Sequence, residues 1–251
     1  MLSWHIKEEK GKGLVMGYQA ILFDLDGTLL PMDNDEFTEF YFRFLCKDAY
    51  EWGYHDSKLL IGSLWKGVAA MVKNDGTRKN HDAFWETFKS LTGRDDPEDE
   101  GRFLHFYSER FKLAKEATGP APLALEAVRA AKEKAETVIL ATNPIFPRCA
   151  DETRLEWLGL SCDDFALVTD YDNSTYCKPN PEYFREVLRT FGLDPKRCLM
   201  IGNDVDEDFY PAKDVGMDCF LVEDTMINKS GRSYDCPSGT YADMVGFLKK
   251  L

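Results

Sequence analysis

The fold of this 251-residue chain is constrained most by its short apolar runs, at residues 20–23, 137–141, 165–168, 198–201 and 219–222. Each is continuous rather than alternating, the pattern of strands buried on both faces of a parallel sheet. Helical patterns separate the last four. Residues 123–135 carry apolar side chains at helical spacing behind Pro120 and Pro122, and 148–158 end at Gly159. Residues 182–191 are entered through Asn180-Pro181 and closed by Gly192, and 207–215 end at Gly216. Pro at a first helical position and Gly just past the last are start and stop signals. Residues 240–251 form a final amphipathic segment. Strands alternating with helices of this length predict a right-handed, doubly wound parallel sheet of the Rossmann-like α/β class.

The polar residues that close these runs carry the chemistry. The first run stops at Asp24, followed by Leu25, Asp26, Gly27 and Thr28. Open α/β sheets place their sites at the C-terminal ends of strands. Two ionised carboxylates there repel by roughly 4 kcal/mol at 4 Å and an effective dielectric near 20. A bound Mg²⁺ removes that repulsion and creates an electrophilic site. The second run ends in Thr142 and Asn143, a hydroxyl and an amide. Small donors at a strand end can hold a phosphoryl oxygen or cap the next helix. Lys178-Pro179-Asn180-Pro181 fixes a lysine at a loop-to-helix junction, because Pro179 restricts Lys178 and Pro181 begins the helix. Its ammonium can neutralise a nucleophile and a transferring phosphoryl group. Behind the fourth run lies Gly202-Asn203-Asp204, with Asp206, Glu207 and Asp208 following.

A long interruption separates the first two strands. Residues 33–118 hold no convincing strand but four helical patterns, at 36–50, 57–72, 81–91 and 98–117, with Asp33 or Asp35, Ser57 and Asn80 as available caps. This segment is dense in aromatic residues, among them Phe37, Tyr41, Phe42, Trp65, Phe84, Trp85, Phe103 and Phe111. Helical periodicity assigns most of them to the segment's own core and leaves a few to face a substrate.

Asp24-x-Asp26-Gly-Thr, Thr142, Lys178-Pro-x-Pro-x-x-Phe184 and the acidic loop after residue 201 stand in the order of the four motifs of the haloacid dehalogenase superfamily, which the chain resembles over residues 17–30 and 120–251. The resemblance implies a catalytic core at 17–32 and 119–251. The all-helical insert at 33–118 resembles a C1 cap in position and helicity. It implies an Mg²⁺-dependent phosphohydrolase acting on a small phosphorylated metabolite through an aspartyl-phosphate. Asp24 is then the nucleophile and Asp26 the general acid and base, with Thr142, Asn143 and Lys178 holding the phosphoryl group. The metal ligands would be Asp24, Asp26 (in the family through its carbonyl), Asp204 and Asp208. Asn203 stands where the family usually has the first Asp of its fourth motif, and can substitute through its amide oxygen. Asp26 disfavours the dehalogenase and phosphonatase branches, which lack it. The alternatives are a phosphosugar mutase of the β-phosphoglucomutase type and a catalytically silent binding protein of the same fold.

Composition narrows the partners. A net charge of −13 argues against nucleic acid and anionic membranes, which need basic footprints. No apolar run approaches the length of a membrane span. Residues 1–16 are charged, lack an apolar signal core and read as a disordered leader, with Met16 a plausible alternative start. Seven cysteines without CxxC spacing point to reduced thiols and a cytoplasmic protein, and four dispersed histidines argue against zinc.

Overall fold

The computed structural model describes residues 17–251, and the expected leader at 1–16 lies outside the described residues. Six parallel strands form the sheet: β1 (Ala20–Phe23), β2 (Thr137–Leu140), β3 (Leu167–Val168), β4 (Cys198–Gly202), β5 (Asp218–Val222) and β6 (Ser238–Gly239). Their spatial order is β3-β2-β1-β4-β5-β6. Leu22 stands opposite Ile139 on one side and Met200 on the other, so β1 is central. The chain builds outward from β1 in one direction and then, from β4, in the other. Such a switch point opens a crevice at the carboxyl ends of the strands.

Between β1 and β2 run α1 (Asn34–Glu51), α2 (Ser57–Val72), α3 (Asn80–Thr92), α4 (Asp99–Glu109) and a 3₁₀ turn (Phe111–Ala117). Phe37, Tyr41, Leu45 and Ala49 recur every four residues and bury one face of α1. They join Leu60, Met71, Phe88, Phe103 and Phe106 in an aromatic-rich core. That core reaches across to Phe146, Ala150, Tyr171 and Cys177, so the helical segment sits on the loops at the sheet's carboxyl edge. An antiparallel bridge between Met32 and Thr118 closes its base.

The remaining helices are α5 (Ala124–Lys134), α6 (Arg148–Trp157), α7 (Pro181–Phe191), α8 (Tyr210–Val215) and α9 (Tyr241–Lys250). Alternate strand residues face opposite layers, as the two-residue period of a strand requires. Ile21, Phe23, Leu140 and Ile201 pack with Val128 of α5, Leu155 of α6 and Leu248 of α9. Leu22, Ile139 and Met200 pack with Tyr183 and Val187 of α7 and Ala212 of α8. Both faces are therefore covered, which is why the strands read as unbroken apolar runs.

Several boundaries differ from expectation. The single helix expected at 98–117 breaks at Arg110, where the tighter 3₁₀ turn carries Phe111 against Phe37 and Tyr107 at ring-centroid distances of 5.7 and 5.5 Å. The helix expected at 207–215 begins as a wide π-turn over Val205–Phe209, closed by Tyr210 N–H to Val205 O, and Pro211 stands in the first turn of the helix that follows. Only Leu167–Val168 of the third run pairs as a strand, residues 162–164 being a 3₁₀ turn. The two-residue β6 carried no recognisable apolar run. Asp56 rather than Ser57 caps α2, and Asn80 is the first residue of α3 rather than its cap. Asn80 is fully buried instead, bonded to Asn74 and to the carbonyls of Pro144 and Tyr176. None of the seven cysteines forms a disulfide.

Candidate active site

The backbone continues β1 by one step, Asp24 N–H donating to Ile201 O at 2.9 Å. The chain then turns sharply, with the N–H of Thr28, Leu29 and Leu30 all donating to Leu25 O. Gly27 permits the turn: its φ is +86°, and a Cβ there would lie 2.2 Å from Asn203 Nδ2. Gly202 is required for a different reason, since a Cβ there would sit 2.3 Å from Asp208 Oδ2. These two glycines let the loops after β1 and β4 approach each other.

Lys178 is the hub. It is 1% exposed, and its Nζ donates to Asp24 Oδ1 and Asp208 Oδ1 at 2.7 Å each. Burial alone would favour the neutral amine, but the Asp208 and Asp24 carboxylates outweigh it and hold Lys178 well above its ordinary pKa. Asp24 is pushed up to about 7, chiefly by burial and further by Asp208, against the lowering effect of Lys178. Its Oδ2 receives only a long 3.4 Å contact from Thr28 Oγ1. The Thr28 hydroxyl also lies 3.1 Å from Asn203 Oδ1 and so links the first and fourth loops.

The fourth loop divides its oxygens between structure and site. Asp208 Oδ2 accepts from the backbone N–H of Asn203 and Asp204 at 3.0 Å each, while its other oxygen serves Lys178. Asp204 Oδ1 accepts from the N–H groups of Asp206 and Glu207, capping the turn. Asn203 Nδ2 donates to Thr225 O. Among the described residues, no three His, Cys, Asp or Glu side chains form a ready-made metal cluster.

Behind β2, Thr142 is buried, and its carbonyl accepts from Thr169 Oγ1 at 2.7 Å and Tyr183 Oη at 2.9 Å. Asn143 Nδ2 donates to Glu207 Oε2 at 2.9 Å, while Asn143 Oδ1 is buried without a partner. Burial pushes the Glu207 carboxyl up to about 7. Asp24, Asp26, Thr142, Asn143, Lys178, Asn203, Asp204 and Asp208 all line one cavity of about 410 Å³, roofed by the helical segment. The structure thus brings every expected site residue to one place.

Two participants were not anticipated. Arg154 of α6 is fully buried, donates to Asp26 Oδ2 and Asp151 Oδ1, and lies 4.7 Å from the Phe146 ring centroid. Asp26 Oδ1 is left buried and unpartnered. Asp151 is pushed up to about 8, mainly by burial. A charged residue in an amphipathic helix reads as solvent-facing, so only the apolar Ala150 and Leu155 beside Arg154 marked that turn as internal. Glu207 was read only as part of an acidic loop, and its bond to Asn143 has no sequence signal.

Comparison with known proteins gives this geometry a family. A model of haloacid dehalogenase-like hydrolases matches residues 18–216. The glyceraldehyde 3-phosphate phosphatase of Pyrococcus furiosus is 25% identical over 211 residues, covering 79% of this chain and 78% of the relative. Two solved structures share the fold. The L-2-haloacid dehalogenase of Xanthobacter autotrophicus has a TM-score of 0.57 at 15% identity, covering 93% of this chain and 99% of that one. The magnesium-bound HAD hydrolase YfnB of Bacillus subtilis has a TM-score of 0.56 at 17% identity, with the same coverage. No helix among the described residues is long and apolar enough to cross a membrane. The chain belongs to the haloacid dehalogenase-like hydrolases.

Proposed function

We propose that this chain is an Mg²⁺-dependent phosphatase that cleaves a phosphate monoester through an aspartyl-phosphate on Asp24. The observation that carries the reading is the Lys178 bridge. It pins one oxygen of Asp24 and leaves Oδ2 lightly held at the floor of the cavity.

The donor set suits a hard cation. Asp24 and Asp204 carboxylates and the Asn203 amide oxygen line the same cavity, and all are oxygen ligands. Asp208 is committed to Lys178 and one Asp204 oxygen to the turn, so few protein ligands remain and water would fill the other positions. Asp24 and Asp204 are both raised chiefly by burial, with the Asp208 carboxylate adding to the shift in each, and a bound cation would favour their ionised forms. Mg²⁺ held there supplies Lewis-acid charge to the phosphoryl oxygens.

Asp24 Oδ2 attacks phosphorus, and the ester oxygen leaves with a proton from Asp26. Asp26 then removes a proton from water as that water attacks the phosphorus of the aspartyl-phosphate, which releases phosphate and restores Asp24. Lys178, Thr142 and Asn143 donate to the phosphoryl oxygens. The helical segment excludes bulk water from the reacting groups. The named phosphatase relative and the second aspartate both favour this chemistry over dehalogenation. The test is phosphate release from p-nitrophenyl phosphate, which should require Mg²⁺, stop with EDTA and be absent in Asp24→Asn. Turnover that survives that substitution refutes the reading.

A further inference from the structure

The cavity above Asp24 has a chemistry of its own. Apart from Asn34, Asp35 and Thr38, the walls that the helical segment contributes are apolar or aromatic, including Tyr41, Phe42, Trp65, Phe84, Trp85 and Tyr107. Asp35 is the one charged residue that this segment contributes to the lining, among the described residues. The cations that line the cavity, Lys178 and Lys229, both come from loops of the sheet domain. The tips of Tyr41 and Tyr107 are already spent on each other, their hydroxyls 2.8 Å apart and their rings stacked at 6.1 Å. They offer ring surface rather than free donors. Trp65 lines the cavity yet is 51% exposed, with the Phe42 ring edge-on at 5.7 Å. A half-exposed tryptophan facing an apolar chamber is unpartnered surface that a ligand would cover.

We infer that the alcohol half of the substrate is a planar aromatic group, seated between Trp65 and the stacked tyrosines while Lys178 and Asp24 engage its phosphate. The inference rests on the phosphatase reading and specifies its substrate class. Volume and polarity both lead there. About 410 Å³ falls in the range of sites that enclose drug-sized ligands and is generous for a three-carbon phosphate. A phosphosugar or glycerol ester would bury several hydroxyls against walls where Asn34, Asp35, Thr38 and the unpartnered Trp85 Nε1 are the polar groups of the helical segment, and each hydroxyl left unpaired is penalised. An aromatic ring instead meets the rings of Trp65, Phe42 and the tyrosines, where offset and edge-to-face contacts are favourable.

The test compares two primary alkyl phosphates of similar leaving-group basicity, 2-(1-naphthyl)ethyl phosphate and glycerol 1-phosphate, with the full chain and Mg²⁺ present. The aromatic ester should have a kcat/KM higher by about 100-fold, the scale on which an apolar pocket discriminates. Trp65→Ala should lower kcat/KM for the naphthyl ester by about tenfold more than for glycerol 1-phosphate. Trp65→Phe should recover most of the loss, and melting curves establish that both variants fold. Equal kcat/KM for the two esters, or equal losses in Trp65→Ala, overturns the inference while leaving the phosphatase reading intact. Calorimetric binding of the non-hydrolysable phosphonate analogue of the naphthyl ester separates the two claims. If no ester is turned over, the phosphatase reading fails; Trp65-dependent binding of the phosphonate then still supports the pocket, and absence of binding overturns it.

Discussion

Arg154→Met should separate the stability of the buried charges from their catalytic use. Arg154 is completely buried and is the partner of both Asp26 and Asp151. Removing one member of a buried ion pair costs about 3–5 kcal/mol, because the remaining charge is stranded. Asp151 is already pushed up to about 8 by burial, so it takes a proton readily and part of that cost is relieved. The lower end, about 3 kcal/mol, is therefore expected. For a chain of this size that corresponds to a fall in Tm of about 6–12 °C. Asp26 also loses its anchor. General acid–base help is worth about 10²–10⁴-fold, and a mispositioned acid forfeits part of it. The forfeit should depend on the leaving group, since p-nitrophenolate departs without a proton and an alkoxide does not. Steady-state rates with p-nitrophenyl phosphate and with an alkyl phosphate, read beside melting curves, measure both effects. Arg154→Met should slow the alkyl ester by about tenfold more than the aryl ester. Equal slowing of both, or lost stability with unchanged leaving-group dependence, would refute the positioning of Asp26 by Arg154.

Three further outcomes follow from the same geometry. Asp24→Asn should abolish turnover and keep the fold, since Lys178 retains Asp208; phosphate release and a melting curve check both halves. Half-maximal Mg²⁺ should rise in Asp204→Ala and in Asn203→Ala, whereas Asp208→Ala should act through Lys178 and lower the rate at saturating Mg²⁺; three unchanged titrations would remove the fourth loop from the metal site. The raised carboxyl of Asp151 keeps its proton in the folded chain after the unfolded chain has lost it, so its contribution is full below about pH 4 and disappears as pH rises to about 8. Unfolding free energies from denaturant titrations between those limits should therefore fall less steeply with pH in Asp151→Asn, by at most about 1.4 kcal/mol per pH unit, and an unaltered slope would contradict the assignment.

The sheet was legible because both of its faces are covered. Strands such as β1 and β4 carry no polar residue inside, and their runs stop at the edge where Asp24 and Asn203 begin. Asp24, Thr142 and Asn203 were legible for the same reason, as polar groups placed just after buried strands, whereas Lys178 was legible by the prolines that fix it at a loop-to-helix junction. Their division of labour was not. That Asp208 spends one oxygen on Lys178 and the other on two backbone N–H groups depends on the close approach permitted at Gly202. Arg154 stayed hidden because its neighbours Asp26 and Asp151 lie 128 and 3 positions away, and only the folded core shows all three turned inward. Aromatic density in residues 33–118 announced a core, and period alone could not separate Phe106, wholly buried, from Trp65, which lines the cavity with half its surface exposed.

The aspartyl-phosphate is the central claim, and direct trapping tests it. Acid quench during turnover, borohydride reduction of any acyl phosphate and peptide mass spectrometry would locate the modified carboxyl. The account predicts reduction at Asp24 alone, dependent on substrate and absent when Asp24→Asn is treated in the same way. Turnover with no modification at Asp24, or modification at another carboxylate, would contradict it.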